Sequence, residues 1–206
     1  MMITDEQALT DLLVSMFPSG GYFVEAGAHD GVGDSQTYRL EQLGWDGLCV
    51  EPSNCGVQGL RKNRRCSVDN RVLWDRSGEV KFWEARGDFV ELSGVHEAFH
   101  FDEHNRARFP FHTSMRQCDT LTTVLSDHDA PPVIEFLSLD TEGSELVILA
   151  AHDFERYRFR FIQVEYCTEQ RRKNLLELLT PKGYLVYEDG GRDIYLVDVR
   201  QVVPRA

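Results

Sequence analysis

The chain has 206 residues, with 22 lysines and arginines against 34 aspartates and glutamates, a net charge of −12. At 42% hydrophobic and 27% charged residues it has the composition of a globular domain and not of a disordered chain. The acidity disfavours non-specific binding to polyanions, and the longest apolar run, Leu146–Ala151, is far short of the roughly 20 residues that span a bilayer.

In chain order, a first strand is expected at Tyr22–Gly27, followed by a glycine-rich loop and a helix over Ser35–Leu43 that Ser35 would cap. A second strand, Gly47–Pro52, leads into a helix over Gly56–Asn63, with a third strand at Arg65–Val68. Val72–Trp74 and Glu79–Trp83 flank Arg76-Ser77-Gly78 and read as a hairpin. The segment 85–118 has no clear period and is expected to be a lid or substrate segment. Within it His96, His100 and His104 recur every four residues, which on a helix makes one stripe and a zinc-like spacing. Phe99, Phe101, Phe109 and Phe111 interleave with Arg106 and Arg108, which favours an amphipathic lid with the histidines on its wet face. Strands Ile134–Asp140 and Phe159–Glu165 alternate with helices Ser144–Ala151 and Glu169–Leu179, and Tyr184–Tyr187 with Ile194–Val199 closes the chain as an antiparallel hairpin. Such alternation implies parallel strands joined by right-handed crossovers. No linker breaks it, so a single α/β domain over 1–206 is expected. The start Met1-Met2-Ile3-Thr4-Asp5-Glu6 has no leader pattern, and the five cysteines show no C-x-x-C pair. Together these features predict a soluble cytoplasmic protein without a disulfide framework, zinc ribbon or membrane contact.

Four of the strands end in an acid: Glu25, Glu51, Asp140 and Glu165. Ligands of open parallel sheets bind at the carboxyl ends of the strands, and buried acids are costly, so four at one edge point to a ligand with positive charge or several hydroxyls. The loop Gly27-Ala28-His29-Asp30-Gly31-Val32-Gly33 is neither a dinucleotide fingerprint nor a phosphate loop, and Asp30 would repel a pyrophosphate. Glu25 and Asp30 suit an ammonium and a sulfonium. Glu51, about 20 residues past the loop, suits ribose hydroxyls. A phosphate-free nucleoside with a cationic tail describes S-adenosylmethionine.

The blocks Phe23-Val24-Glu25-Ala26-Gly27-Ala28-His29-Asp30-Gly31, Leu40–Pro52 and Phe136-Leu137-Ser138-Leu139-Asp140-Thr141-Glu142-Gly143-Ser144-Glu145 resemble, in order, the motifs of the FkbM-type S-adenosylmethionine-dependent methyltransferases. The wording is closest to the branch that includes the Star-like domains of animals. The resemblance implies a Rossmann-like class I methyltransferase fold, with about seven mostly parallel strands and a C-terminal antiparallel hairpin. It also implies that Glu25, Gly27 and Gly31 form the methionine side of the pocket, that Glu51 holds the ribose, and that Asp69 and Asn70 lie near adenine. Asp140 and Glu142 would face the transferred methyl group. His29 departs from the Asn of many members and would shape the loop or reach the substrate.

The same resemblance implies O-methylation of a hydroxyl on a small molecule or glycan, for which Asp140 and Glu142 are the candidates for base and acceptor orientation. The plainer reading makes Glu142 a helix cap and Glu145 a solvated first-turn acid. Glu165, Tyr166 and His112 are candidate substrate contacts. Asp140, Glu142 and Glu165 are hard oxygen ligands that would suit a divalent metal such as Mg²⁺, with complementarity to the cofactor alone as the alternative. Trp45 and Trp74 read as core, and Cys167 as packing. The basic clusters Arg61-Lys62-Asn63-Arg64-Arg65 and Arg171-Arg172-Lys173 read as solvated helix ends. They leave a nucleic-acid methyltransferase open as a minor alternative, beside a degenerate binding domain.

Overall fold

The computed structural model describes residues 2–85, 92–98 and 111–202. Helix α1 (Glu6–Met16), capped by Asp5, precedes β1 (Tyr22–Ala26). After it come α2 (Tyr38–Gln42), β2 (Asp46–Val50), α3 (Asn54–Asn63) and β3 (Ser67–Asp69). Next are β4 (Val72–Leu73), β5 (Gly78–Ala85), β6 (Gly94–Val95) and β7 (Phe111–Asp119). The chain returns through α4 (Leu121–Asp127), β8 (Val133–Leu139), α5 (Glu145–Ala151), β9 (Arg158–Glu165) and α6 (Glu169–Leu179). It ends with β10 (Tyr184–Asp189), β11 (Asp193–Asp198) and α7 (Val199–Val202).

Among the described residues the main sheet has seven strands, ordered β10-β11-β9-β8-β1-β2-β3. Strands β3, β2, β1, β8 and β9 run parallel, and β11 and β10 are antiparallel, as the sequence predicted for the class I methyltransferase fold. The period-2 alternation of the strands divides the core between two faces. Phe23, Phe136 and Phe161 pack with Leu9 and Leu13 of α1, whereas Val24, Leu137 and Ile162 pack with Leu121, Ile148 and Leu175. The direction of travel reverses at β1, whose neighbours are β2 and β8, so the switch point lies at the tips of these strands.

A second sheet, ordered β4-β7-β5-β6, corrects the predicted hairpin. Strands β4 and β5 do not pair with each other. The long β7 lies between them, parallel to β4 and antiparallel to β5 from Gly78↔Cys118 to Ala85↔Phe111. A distant strand with eight matched positions outcompetes a local hairpin of two residues. Among the described residues the 85–118 segment contributes β6 and β7, and His112 stands exposed on β7 opposite Glu84. His96 sits in a turn, its ring 4.7 Å from that of Trp83. His100, His104, Phe99, Phe101, Phe109, Arg106 and Arg108 lie outside the described residues.

Other boundaries move for local reasons. Helix α3 starts at Asn54 and not Gly56, because Ser53 caps it by accepting from the Gly56 N–H at 3.1 Å. Helix α2 is confined to Tyr38–Gln42, with Ser35 Oγ accepting from the Tyr38 N–H. Trp45 and Trp74 are buried, all five cysteines are free, and no described helix is long and apolar enough to cross a membrane. Cys167, expected to pack, is exposed, and its thiol is pushed up to about 12 by partial desolvation and the Glu165 charge.

His152 is buried in the core. Its Nε2 donates to the Tyr157 carbonyl at 3.0 Å, so Nδ1 is left to accept from Thr122 Oγ at 3.1 Å. Desolvation lowers its pKa from 6.5 to about 4. The unfolded chain therefore binds the proton first, so stability present above pH 6.5 is lost as pH falls toward 4. A loss of about 3 kcal/mol across that window is expected in urea unfolding, and it should be absent from His152→Gln.

Candidate active site

The loop after β1 is built by its glycines and by Glu25. Gly27 has φ +84°, and a Cβ there would lie 1.7 Å from the Asp140 carbonyl oxygen, so only glycine lets β1 and β8 close together at their tips. The Gly27 and Ala28 N–H groups both bond to the Val50 carbonyl, which ties the loop to β2.

Glu25 accepts from Ser35 Oγ at 2.8 Å, Gln36 N–H at 2.7 Å and Thr37 Oγ at 2.6 Å. It also pairs with Arg64 at 3.2 Å. Arg64 is the side chain that sequence reading misplaced. Within its cluster Arg61, Lys62 and Arg65 are exposed as predicted, but the Arg64 side chain is fully buried. It donates to Glu25, Glu41, Ser35, Thr37 and the Gly31 carbonyl. Glu41 in turn accepts the Cys66 and Arg65 N–H groups. These bonds and Arg64 hold its carboxyl below the usual range although burial opposes them.

Glu51, at the tip of β2, is also buried. One oxygen accepts the His29 N–H at 2.8 Å and the other the Ser53 N–H at 2.7 Å. Burial raises its pKa against those bonds. Each carboxylate oxygen can accept more than one hydrogen bond, so acceptor capacity remains toward the cavity.

The turn after β8 places the remaining acids. Asp140 reaches solvent through the cavity but is otherwise surrounded by protein. It is held well above the usual carboxylate range, by desolvation first and then by the charges of Glu165, Glu142 and Glu145. Glu142 sits at φ +54° on the same turn. Glu145 is not the solvated first-turn acid of the plainer reading. It is buried, and Oε1 accepts from Thr141 N–H, Thr141 Oγ and Gly143 N–H at 2.8–3.0 Å, which pins the turn. Glu165 pairs with Arg192 at 2.5 Å.

These groups surround a cavity of about 430 Å³ at the carboxyl ends of β1, β2, β8 and β9, within the usual range for a small-molecule site. Its lining includes Glu25, Gly27, His29, Glu51, Asp140, Glu142 and Glu165 from the predicted set. Ser138, Gln163, Arg192 and Asp193 line it too, and sequence reading missed them, whereas residues 92–95 in the lining come from the segment expected to meet the substrate. The available signal was a serine and a glutamine inside otherwise apolar strands.

The other predicted residues are not in the lining. Asp30 turns back to accept from Val32 and Gly33 N–H at 2.9 and 3.0 Å, which lowers its pKa against a desolvation that opposes it. Gly31, at φ +78°, packs against Leu60 and Arg64. The Asp69 carboxylate is taken by Arg71 at 2.6 Å and His128 at 2.9 Å, and Asn70 beside it is exposed. Tyr166 donates to Asp189 at 2.6 Å, which raises its pKa to about 12. His112 stands away on β7.

Asp140, Glu145 and Glu165 bring one oxygen each within 4.8 Å of one another. This is a different trio from the predicted Asp140, Glu142 and Glu165. Two of its members already face arginines, Glu165 with Arg192 and Glu145 with Arg171 at 3.7 Å. Two members of the second basic cluster are likewise engaged, Arg171 donating to the Gly143 carbonyl and Arg172 to Asp189, while Lys173 stays exposed as expected.

The profile of the methyltransferase FkbM domain matches residues 25–186. No curated protein matches the chain. Similar solved structures include a ribosomal protein L11 methylase from Lactobacillus delbrueckii subsp. bulgaricus, at 12% identity over 93% of this chain and 76% of that one, with a TM-score of 0.48. A precorrin-6y C5,15-methyltransferase from Geobacter metallireducens is similar at 12% identity, 95% and 88% coverage and a TM-score of 0.47. A human methyltransferase 10 domain containing protein has 14% identity, 93% and 78% coverage and a TM-score of 0.47.

Proposed function

The chain belongs to the FkbM methyltransferase family, and on that premise we propose that it transfers a methyl group from S-adenosylmethionine to a hydroxyl of a small molecule or glycan, with Asp140 as the base. The cavity suits the cofactor by volume, by the bare backbone at Gly27 and by acceptors at the strand tips. Gly27 and His29 would border its methionine part, and Glu51 its ribose. When bound, it supplies a methyl group on a sulfonium, an electrophile that needs no further activation.

The observation that carries the reading is the state of Asp140. Among the described residues, Glu25 is matched by Arg64, Glu165 by Arg192 and Glu51 by two N–H groups, whereas Asp140 has no cation or amide of its own. Its raised pKa suits a group that takes a hydroxyl proton as the oxygen forms its bond to carbon. An Asp140 oxygen would take the proton from the acceptor hydroxyl as that oxygen takes up the methyl group that the bound cofactor would supply. Glu165 and Glu142 keep that carboxyl proton-seeking, and Glu145 holds the turn that aims it. Residues 92–95 in the lining support assigning segment 85–118 to acceptor binding within a single catalytic domain. A divalent cation at the acid trio is not needed for this step.

Calorimetric titration of S-adenosylmethionine and S-adenosylhomocysteine tests the pocket. Glu51→Ala should weaken both by about 1–3 kcal/mol, and failure of the wild type to bind either would overturn the reading. Transfer of labelled methyl to sugars and polyols should give an ether that withstands mild alkali. An alkali-labile product would mean a carboxyl acceptor.

A further inference from the structure

The turn between β2 and α3 is held from two sides. Its successive amides, Ser53 and Asn54, donate to carboxylates that come from different sheets. The Ser53 N–H goes to Glu51 at the tip of β2, at 2.7 Å, and the Asn54 N–H goes to Glu84 of β5, at 2.5 Å. N–H groups at a helix start have no partner within the helix, so they need an acceptor from outside. Glu84 also accepts from Asn54 Nδ2 at 3.0 Å, so its two oxygens grip one residue. Arg116 of β7 completes the hold, donating to Asn54 Oδ1 at 2.9 Å and to the Pro52 carbonyl.

These contacts lock the second sheet onto the turn that carries Glu51. Glu84 is 8% exposed, and the Asn54 donors at the start of α3 offset the cost of burying its charge. Phe82 and Glu84 alternate onto one face of β5, and Arg116, the register partner of Val80, lies on the same face of β7. At Phe82 that face is a wall of the cavity, but neither Glu84 nor Arg116 lines it. On the other side of the turn Glu51 packs directly on α3, since a Cβ on Gly56 would lie 2.8 Å from Glu51 Cγ. The first turn of α3 therefore cannot shift without moving Glu51.

We propose that Glu84 and Arg116 are positioning residues for Glu51: through Asn54 they fix the turn from which Glu51 meets the cofactor's ribose. The second sheet and the cofactor site then act as one unit. This rests on the cofactor reading of the pocket and adds residues that do not touch the ligand. The coupling is reciprocal, so a ligand held by Glu51 tightens the docking of β5 on the turn by the same factor.

The test is a double-mutant cycle in calorimetric titration of S-adenosylhomocysteine, with wild type, Glu84→Gln, Glu51→Ala and the double variant. Glu84→Gln keeps the shape of the side chain but sets an amide N–H against one of the two Asn54 donors. It should weaken binding about fivefold when Glu51 is present and less than about twofold in the Glu51→Ala background, where no Glu51 is left to misplace. A glutamate that only supports the fold would weaken binding equally in both. Glu79→Gln, exposed on the other face of β5, should leave the affinity unchanged.

Wild-type affinity in Glu84→Gln, or equal weakening in the two backgrounds, overturns the proposal. Failure of wild type to bind S-adenosylhomocysteine, or equal binding by Glu51→Ala, would instead remove the reading beneath it. If Glu84→Gln does not fold, Asn54→Ala decides. It keeps the backbone N–H but loses the side chain that Glu84 and Arg116 hold, and it should weaken binding about threefold only when Glu51 is present. Unchanged affinity in that variant refutes the proposal.

Discussion

Arg64→Met should destabilise the protein by about 3–5 kcal/mol, the cost of leaving buried carboxylates without their cation. Two such carboxylates are left, Glu25 and Glu41, in a pocket where the Arg64 side chain has no exposure. The variant also loses the donors that tie the Gly31 carbonyl, Ser35 and Thr37 to one centre. The loop between β1 and α2 should therefore loosen, and S-adenosylhomocysteine affinity should fall with stability. Urea unfolding and calorimetry measure the two effects. Arg61→Met, three residues earlier and exposed, should stay within about 0.5 kcal/mol of wild type. Equal stability of the two variants would show that the Arg64 network contributes nothing.

Asp140→Asn should lower kcat by about 100-fold or more while leaving S-adenosylmethionine affinity close to that of wild type, the signature of a lost general base. The pH dependence gives a second check. Activity needs Asp140 ionised, and its pKa is raised, so kcat/KM should be lost as pH falls through a value above the usual carboxylate range. That limb should vanish in Asp140→Asn. Wild-type turnover by this variant would remove Asp140 from the chemistry. Glu145→Gln tests the neighbouring structural role: it weakens the acceptor of three hydrogen bonds that set the turn, so it should lower stability as well as rate.

Much of this was legible locally. The strands at Tyr22, Gly47, Ile134 and Phe159 and the final hairpin follow from short apolar runs with turn residues around them and settle within a residue or two, whereas the first of the expected helices starts three residues late, at Tyr38, and the helix at Leu121–Asp127 was not expected. The acids at the strand tips and Gly27 in the first loop were visible for the same reason: a parallel sheet collects its ligands at one edge, and a tip that meets another backbone needs glycine. What could not be read was which charges answer which acids. Arg64 looked like the third basic residue of a solvated helix end, yet it reaches Glu25 across 39 residues of chain. Asp69, with carboxylate character identical to that of Glu51, turns instead to Arg71 and His128.

The same division separates the two sheets. Alternation and turn signals determined the seven-stranded sheet, because each of its strands carries its own burial pattern. The partner of β5 was decided by tertiary structure alone, since pairing energy grows with the number of matched positions and the better match lay beyond the segment without a period. By itself the sequence determined the fold class, the edge at which the cavity lies and most of the acids that line it. The tertiary structure decided which of those groups are already satisfied by the protein, as Glu25 is by Arg64 and Glu165 by Arg192, because that depends on long-range contacts that no local pattern encodes.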